Sequence, residues 1–158
     1  MTDHVIGLDP GPERSALVEF DGHAVLTTVY DINDEVLKEL QAARVRKCCL
    51  VIEQVASFGM PVGAEVFETV FWSGRFAEAY GFVDVHRIKR LEVKMAICHD
   101  SRAKDANIRQ AIIDQYGGKE KAIGRKACPG PLHGISGDLW SALAVAIAWT
   151  RLQSVHHQ

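Results

Sequence analysis

The chain has 158 residues, 47% of them apolar and 24% charged, with a formal net charge of −2. That is enough for one domain with a core of its own, expected to span 1–158. No apolar run reaches the length of a membrane span, the N-terminus lacks a signal-peptide pattern, and the small negative charge excludes a protein that coats nucleic acid indiscriminately.

The chain opens with Val5-Ile6-Gly7-Leu8-Asp9, a short apolar run that reads as a buried strand ending in a carboxylate. Pro10-Gly11-Pro12 then turns the chain away. Asp before Pro-Gly is an ordinary turn opener, but an acid at the edge of a core is costly unless it has a partner. Strands over 14–20 and 24–30 follow, joined by Asp21-Gly22, a strong hairpin signal. Residues 31–46 take a helical period, with Val36, Leu37, Leu40 and Ala43 on one face and Asp31 or Asn33 as cap. Cys48 to Ile52 is a second continuous apolar strand, ending in Glu53-Gln54. Strand, helix and strand at this spacing argue for a parallel crossover, which brings Asp9 and Glu53 side by side at the carboxyl edge of the sheet.

A loop over 56–60 leads to a long helix over 62–80. Val62, Val66, Val70 and Phe71 form one stripe on it, while Phe67, Trp72, Phe76 and Tyr80 spread apolar surface well beyond that stripe. Such a helix is buried on two sides, against the sheet and against a second subunit. A third parallel strand is expected over 82–86, then a short helix or loop over 87–98 carrying Lys94. Ser101 reads as the cap of a helix over 102–116, which would put Arg102 and Lys104 in a first turn unfavourable to cations and suited to an anion. Residues 117–137 show no period and read as a long loop. The last helix opens at Asp138, with Leu139, Ala142, Leu143, Ala146 and Ile147 facing inward. Asp138 is also an ordinary helix cap.

Charge is unevenly spread. Residues 86–126 hold eleven Lys and Arg against five Asp and Glu, a balance of +6, which leaves −8 for the remainder. The segment is either a solvated face or a phosphate-binding surface beside a site that concentrates carboxylates. Cys98, His99, Cys128 and His133 could form a zinc site, although they lack the usual paired spacing. Asp9, Glu53 and Asp138 share a better feature: all three belong to elements that pack at one sheet edge. Clustered carboxylates repel unless a divalent cation sits among them, and oxygen ligands select Mg²⁺ or Mn²⁺. Beside a basic surface, that points to metal-assisted phosphodiester hydrolysis.

At these positions the chain resembles the RuvC-type Holliday-junction resolvases of the ribonuclease H-like fold. Ile6-Gly7-Leu8-Asp9-Pro10-Gly11 is similar to the family's opening strand, and Val51-Ile52-Glu53-Gln54-Val55 to its second motif. Val93-Lys94, with Lys104 ten residues on, is similar to its lysine pair near the scissile phosphate. Gly137-Asp138 with Ser141 to Ile147 looks like its closing helix.

The resemblance implies an α/β fold with a mixed five-stranded sheet, an antiparallel hairpin plus parallel strands, flanked by helices. It implies a homodimer joined through the 62–80 helix, acting on four-way DNA in a bacterial cytoplasm; a phage origin is compatible with so compact a chain. It implies paired symmetric nicks that leave 5′-phosphates, with Mg²⁺ held by Asp9, Glu53 and Asp138 and Mn²⁺ able to substitute. Lys104 would stabilise the reacting phosphate, and Lys94, Arg102, Arg87, Lys89 and Arg90 would hold DNA. The family's closing helix carries a second Asp one turn on, where this chain has Ser141. Either three carboxylates suffice or a group such as Asp105 or His133 contributes. Phe58 is the nearest counterpart of the aromatic that wedges the junction, although a core or loop-anchoring Phe is the ordinary reading. The rivals are a nuclease of the same fold acting on structured RNA or other branched DNA, and a DNA-binding protein whose catalysis Ser141 has weakened. A small actin-like phosphotransferase would need two such domains.

Overall fold

The computed structural model describes residues 4–81 and 84–156, without the side chain of His156. Its centre is β1 (Val5–Asp9), buried from Val5 to Leu8. A strand with no polar residue before its last position belongs in the middle of a sheet covered on both faces. β1 pairs antiparallel with β2 (Arg14–Phe20), which pairs antiparallel with β3 (Val25–Ile32). Helix α1 (Asn33–Ala43) and a 3₁₀ turn (Arg44–Arg46) cross to β4 (Cys49–Gln54), parallel to β1 on its other side. Helix α2 (Ala64–Tyr80) crosses to β5 (Val85–Lys89), parallel to β4. The five-stranded mixed sheet thus runs β3-β2-β1-β4-β5. Next come α3 (Arg90–Cys98), α4 (Asp105–Gln115), the short α5 (Lys119–Ala122), a small ribbon of β6 (Gly124–Arg125) and β7 (Cys128–Pro129), and α6 (Leu139–His156).

Alternation along the strands sorts side chains between two cores. Ile6, Leu8, Leu17, Leu50 and Ile52 pack with Val36 and Leu40 of α1 and Phe76 and Tyr80 of α2. Val5, Val18, Val51 and Ile88 pack on the other face with α3, α4 and α6. Gly7 faces α6, where an added Cβ would lie 2.1 Å from the Ala142 carbonyl oxygen and 2.9 Å from the Ala146 nitrogen. The absent side chain lets the helix backbone rest directly on the central strand. Among the described residues no helix is long and apolar enough to cross a membrane.

Several expected boundaries move, each for a local reason. The hairpin loop is wider than Asp21-Gly22: Asp21 Oδ1 accepts the backbone N–H groups of His23 and Ala24, and β3 starts at Val25. The third parallel strand is Val85–Lys89 rather than 82–86, because Leu50 pairs with Val85 and Gln54 with Lys89; Phe82 and Val83 lie outside the described residues. Ser101 does not cap α4. Ser101 and Arg102 form a turn, Lys104 is the cap residue, and its N–H is taken by Asn107 Oδ1 at 2.9 Å. Arg102 therefore precedes the helix instead of occupying its first turn. The 117–137 segment is not one irregular loop, since α5 and the β6–β7 ribbon lie within it.

Candidate active site

The parallel register of β1 and β4 runs from Val5 opposite Cys49 to Leu8 opposite Ile52. One step beyond its last rung stand Asp9 and Glu53, with the same parity as Gly7 and Val51, on the face that α6 covers. Asp138 immediately precedes α6, and its backbone carbonyl accepts the N–H groups of Ser141 and Ala142. Asp9 is largely buried, and its carboxyl is pushed up to about 7, first by that burial and then by the charges of Glu53 and Asp138. Burial likewise raises Glu53, against the opposing pull of Arg90. The edge is therefore a place where negative charge is concentrated beyond what the protein's own cations offset.

The turn after Asp9 is braced from below. Ser15 Oγ accepts the Gly11 N–H at 3.1 Å and donates to Asn33 Oδ1 at 2.6 Å, and Asn33 Nδ2 donates to the Gly11 carbonyl at 3.0 Å. Asn33 is thus not a helix cap. It is a buried residue whose amide closes a ring of hydrogen bonds around Gly11, two residues from Asp9. Asp9 and Asp138 share an open cleft of about 730 Å³ with Arg14, Tyr30, Glu65 and Glu68. The neighbouring Asp138 carboxylate raises the pKa of the Tyr30 hydroxyl, and the Arg14 guanidinium lies 5.7 Å from the Tyr30 ring centre.

The basic residues divide. Arg90, half-buried at the start of α3, reaches into the acids, with Nη1 3.2 Å from Glu53 Oε2 and Nη2 bonded to the Asp105 carboxylate. Lys94, one turn along α3, is close enough to lower the Glu53 pKa. Arg87 and Lys89 are exposed on β5 with the parity of Ile52 and Gln54, so they belong to the face opposite Arg90. Arg102 and Lys104 are exposed around the start of α4. Asp105 lies within the electrostatic reach of both Asp9 and Glu53, whereas His133 is exposed with Nδ1 3.0 Å from the Ile123 carbonyl oxygen. Of the two groups considered in place of a second aspartate, the structure brings only Asp105 to the acids. Phe58 does not anchor its loop: it is 80% exposed with φ +47°, at the tip of the segment after β4.

The donor chemistry suits a hard divalent cation: carboxylate oxygens at a half-buried edge, two of them with raised pKa. They are not collapsed onto one point. Among the described residues, the trios of ligand atoms mutually within 4.8 Å are His4/Glu19/Cys48 and Cys49/Asp84/His86. The quartet Cys98, His99, Cys128 and His133 forms no such group either. Sequence reasoning missed Arg90 as a partner of the acids, and it missed Tyr30, Arg14 and the Ser15–Asn33 brace. The only local signal was a polar residue at a position where a strand should be featureless.

No family model matches the chain, and no curated protein matches it. Its fold does have solved counterparts. A structure of Thermus thermophilus RuvC aligns over 97% of this chain and 96% of its own, with a TM-score of 0.66 at 17% identity. T. thermophilus RuvC in complex with a Holliday junction substrate aligns over the same shares, with a TM-score of 0.67 at 16% identity. The chain therefore has the RuvC-type, ribonuclease H-like α/β fold, with its mixed five-stranded sheet flanked by helices.

Proposed function

We propose that the chain is a single nuclease domain that resolves four-way DNA junctions by paired, divalent-metal-dependent nicks leaving 5′-phosphates. The observation that carries this is the meeting of Asp9 and Glu53 just beyond the last β1–β4 rung, with Asp138 in the same cleft as Asp9. The likeness to a RuvC solved with a Holliday junction supports four-way DNA as the substrate.

Asp9, Glu53 and Asp138 would hold Mg²⁺ or Mn²⁺, with Asp105 as a further carboxylate on the side of Glu53. Bound there, such an ion would supply an activated water and would stabilise charge on the leaving oxygen. The remaining work falls to this chain's residues. The Ser15–Asn33 brace fixes the backbone after Asp9, and Tyr30 lines the cleft beside the Asp138 carboxylate. Lys94 and Lys104 offset charge on the phosphate, Arg102 holds the DNA backbone beside it, and Arg90 holds the Glu53 and Asp105 carboxylates in place. Phe58, exposed five residues after Glu53, is placed to stack on an unpaired base.

A junction-binding protein with weakened catalysis is favoured by two features, Ser141 and the Arg90 guanidinium among the acids. Incubating a synthetic four-way junction, a linear duplex and a structured RNA with Mg²⁺ separates the readings. Symmetric nicks in the junction alone, reduced about a hundredfold or more in Asp9→Asn while junction binding persists, are the expected result. Binding without cutting in Mg²⁺ or Mn²⁺ would favour the weakened protein, and cutting of RNA alone would move the substrate.

A further inference from the structure

A second constellation lies at the opposite end of the same strands. His4 precedes β1, Glu19 pairs with Ile6 from β2, and Cys48 precedes β4, so three neighbouring strands each deliver one side chain to the amino edge of β1. All three are on the face that α1 and α2 cover. Glu19 is a carboxylate only 4% exposed, and its two oxygens are used differently. Arg46 lies 3.2 Å from Oε2 and neutralises it. Oε1 is met by His4 Nδ1 at 3.5 Å and by Cys48 Sγ at 3.5 Å.

The two spacings to Glu19 Oε1 are those of a coordination shell. Bonds of about 2.0–2.3 Å to N, O and S place the corners of a zinc tetrahedron roughly 3.3–3.8 Å apart. One nitrogen, one oxygen and one sulfur, all within 4.8 Å of one another, leave a fourth position for water on the side where His4 is exposed. We propose that His4, Glu19 and Cys48 bind a thiophilic divalent ion of the zinc class, separate from the hard-cation acids at the other edge.

Without the ion, burial and the Glu19 charge hold the Cys48 thiol up at about 11. Binding therefore displaces its proton to solvent and forms a thiolate–metal bond. Mg²⁺ does not compete for such a ligand set. The ion would clasp β2, β1 and β4 together, giving it a structural role.

The neighbouring trio, Cys49, Asp84 and His86, is a less suitable site. His86 Nε2 is held by Asp84 Oδ1 at 2.8 Å, and the ring stacks on Trp149 with centroids 4.6 Å apart.

The test uses the full chain after chelator treatment, titrated with Zn²⁺ against a chromogenic chelator and with Co²⁺ for thiolate-to-metal absorption. One thiolate-bound ion per chain is expected, read as a Co²⁺ band that saturates at one equivalent and is displaced by Zn²⁺, with a raised Tm. His4→Ala alters only a half-exposed residue and should weaken binding at least about tenfold. Cys48→Ser should abolish the band, while Asp9→Asn, at the other edge of the sheet, should leave the band unchanged. The proposal is overturned by the absence of binding or of the band, by unchanged affinity in His4→Ala, or by loss in Asp9→Asn. Loss in Cys49→Ser with retention in Cys48→Ser would assign the ion to the neighbouring trio instead.

Discussion

Asp9 is ordinary in sequence and abnormal in place. Its carboxyl, raised from 3.8 to about 7, binds a proton more tightly in the folded chain than in the unfolded one. The stability this contributes is complete below the ordinary value and is lost as pH rises through about 7. The metal-free protein should therefore be more stable at pH 5 than at pH 8, and thermal melts across that range would show the slope. Asp9→Asn, a neutral isostere, should flatten it. At pH 8 the variant should gain a few kcal/mol, at most about 4, or roughly 8–16 °C in Tm at that limit, while losing stabilisation by Mn²⁺. A variant that melts lower at pH 8, or still responds to Mn²⁺ like the parent, would remove Asp9 from the metal site. Arg90 opposes the same charge from the other side, which explains how the acids stay together without a metal.

At the scale of elements, the site depends on two contacts away from the chemistry. Asn33→Ala removes both the acceptor for Ser15 and the donor to Gly11 in a buried ring, at a cost of about 1–3 kcal/mol. Its cleavage rate should fall more than its junction affinity does, because the loop after Asp9 loses its position and the basic face is untouched. Gly7→Ala is harsher. A methyl 2.1 Å from the Ala142 carbonyl must push α6 off the sheet, costing about 3 kcal/mol or more in chemical denaturation.

These same elements show what could be read beforehand. β1, β4 and α6 were legible because burial on both sides writes continuous apolar runs, and their ends brought Asp9, Glu53 and Asp138 to one edge. β5 was legible as a third parallel strand but not in its bounds, since Val85-His86-Arg87-Ile88-Lys89 buries only Ile88 fully and resembles the start of the basic segment. Asn33 read as a cap because its partners, Gly11 and Ser15, are distant in sequence. The link from Arg90 to Glu53 and Asp105 is a tertiary contact with no local pattern.

For the whole molecule, α2 sets the expectation. Its inner face gives Phe76 and Tyr80 to the core, while Phe67 and Phe71 are 65% and 61% exposed beside exposed Val70. An apolar stripe of this kind on a surface helix is suited to a symmetric contact with a second copy. Sedimentation should give a dimer for the parent chain and a monomer for Phe71→Asp. The monomer should still bind a junction but should uncouple its two nicks. A parent chain that sediments as a monomer at micromolar concentration would dismiss the contact.

The seating of α6 on Gly7 also has a consequence in time. A ribosome adding about 5–20 residues per second exposes β1 on the order of 10 s before it finishes the helix that rests on it. During that interval the sheet face bearing Val5, Val18, Val51 and Ile88 lacks its largest cover, and Asp9 and Glu53 lack Asp138. The nascent polypeptide thus carries an unfinished apolar surface of the kind that favours aggregation, and it gains its full set of acids only when translation has passed residue 138.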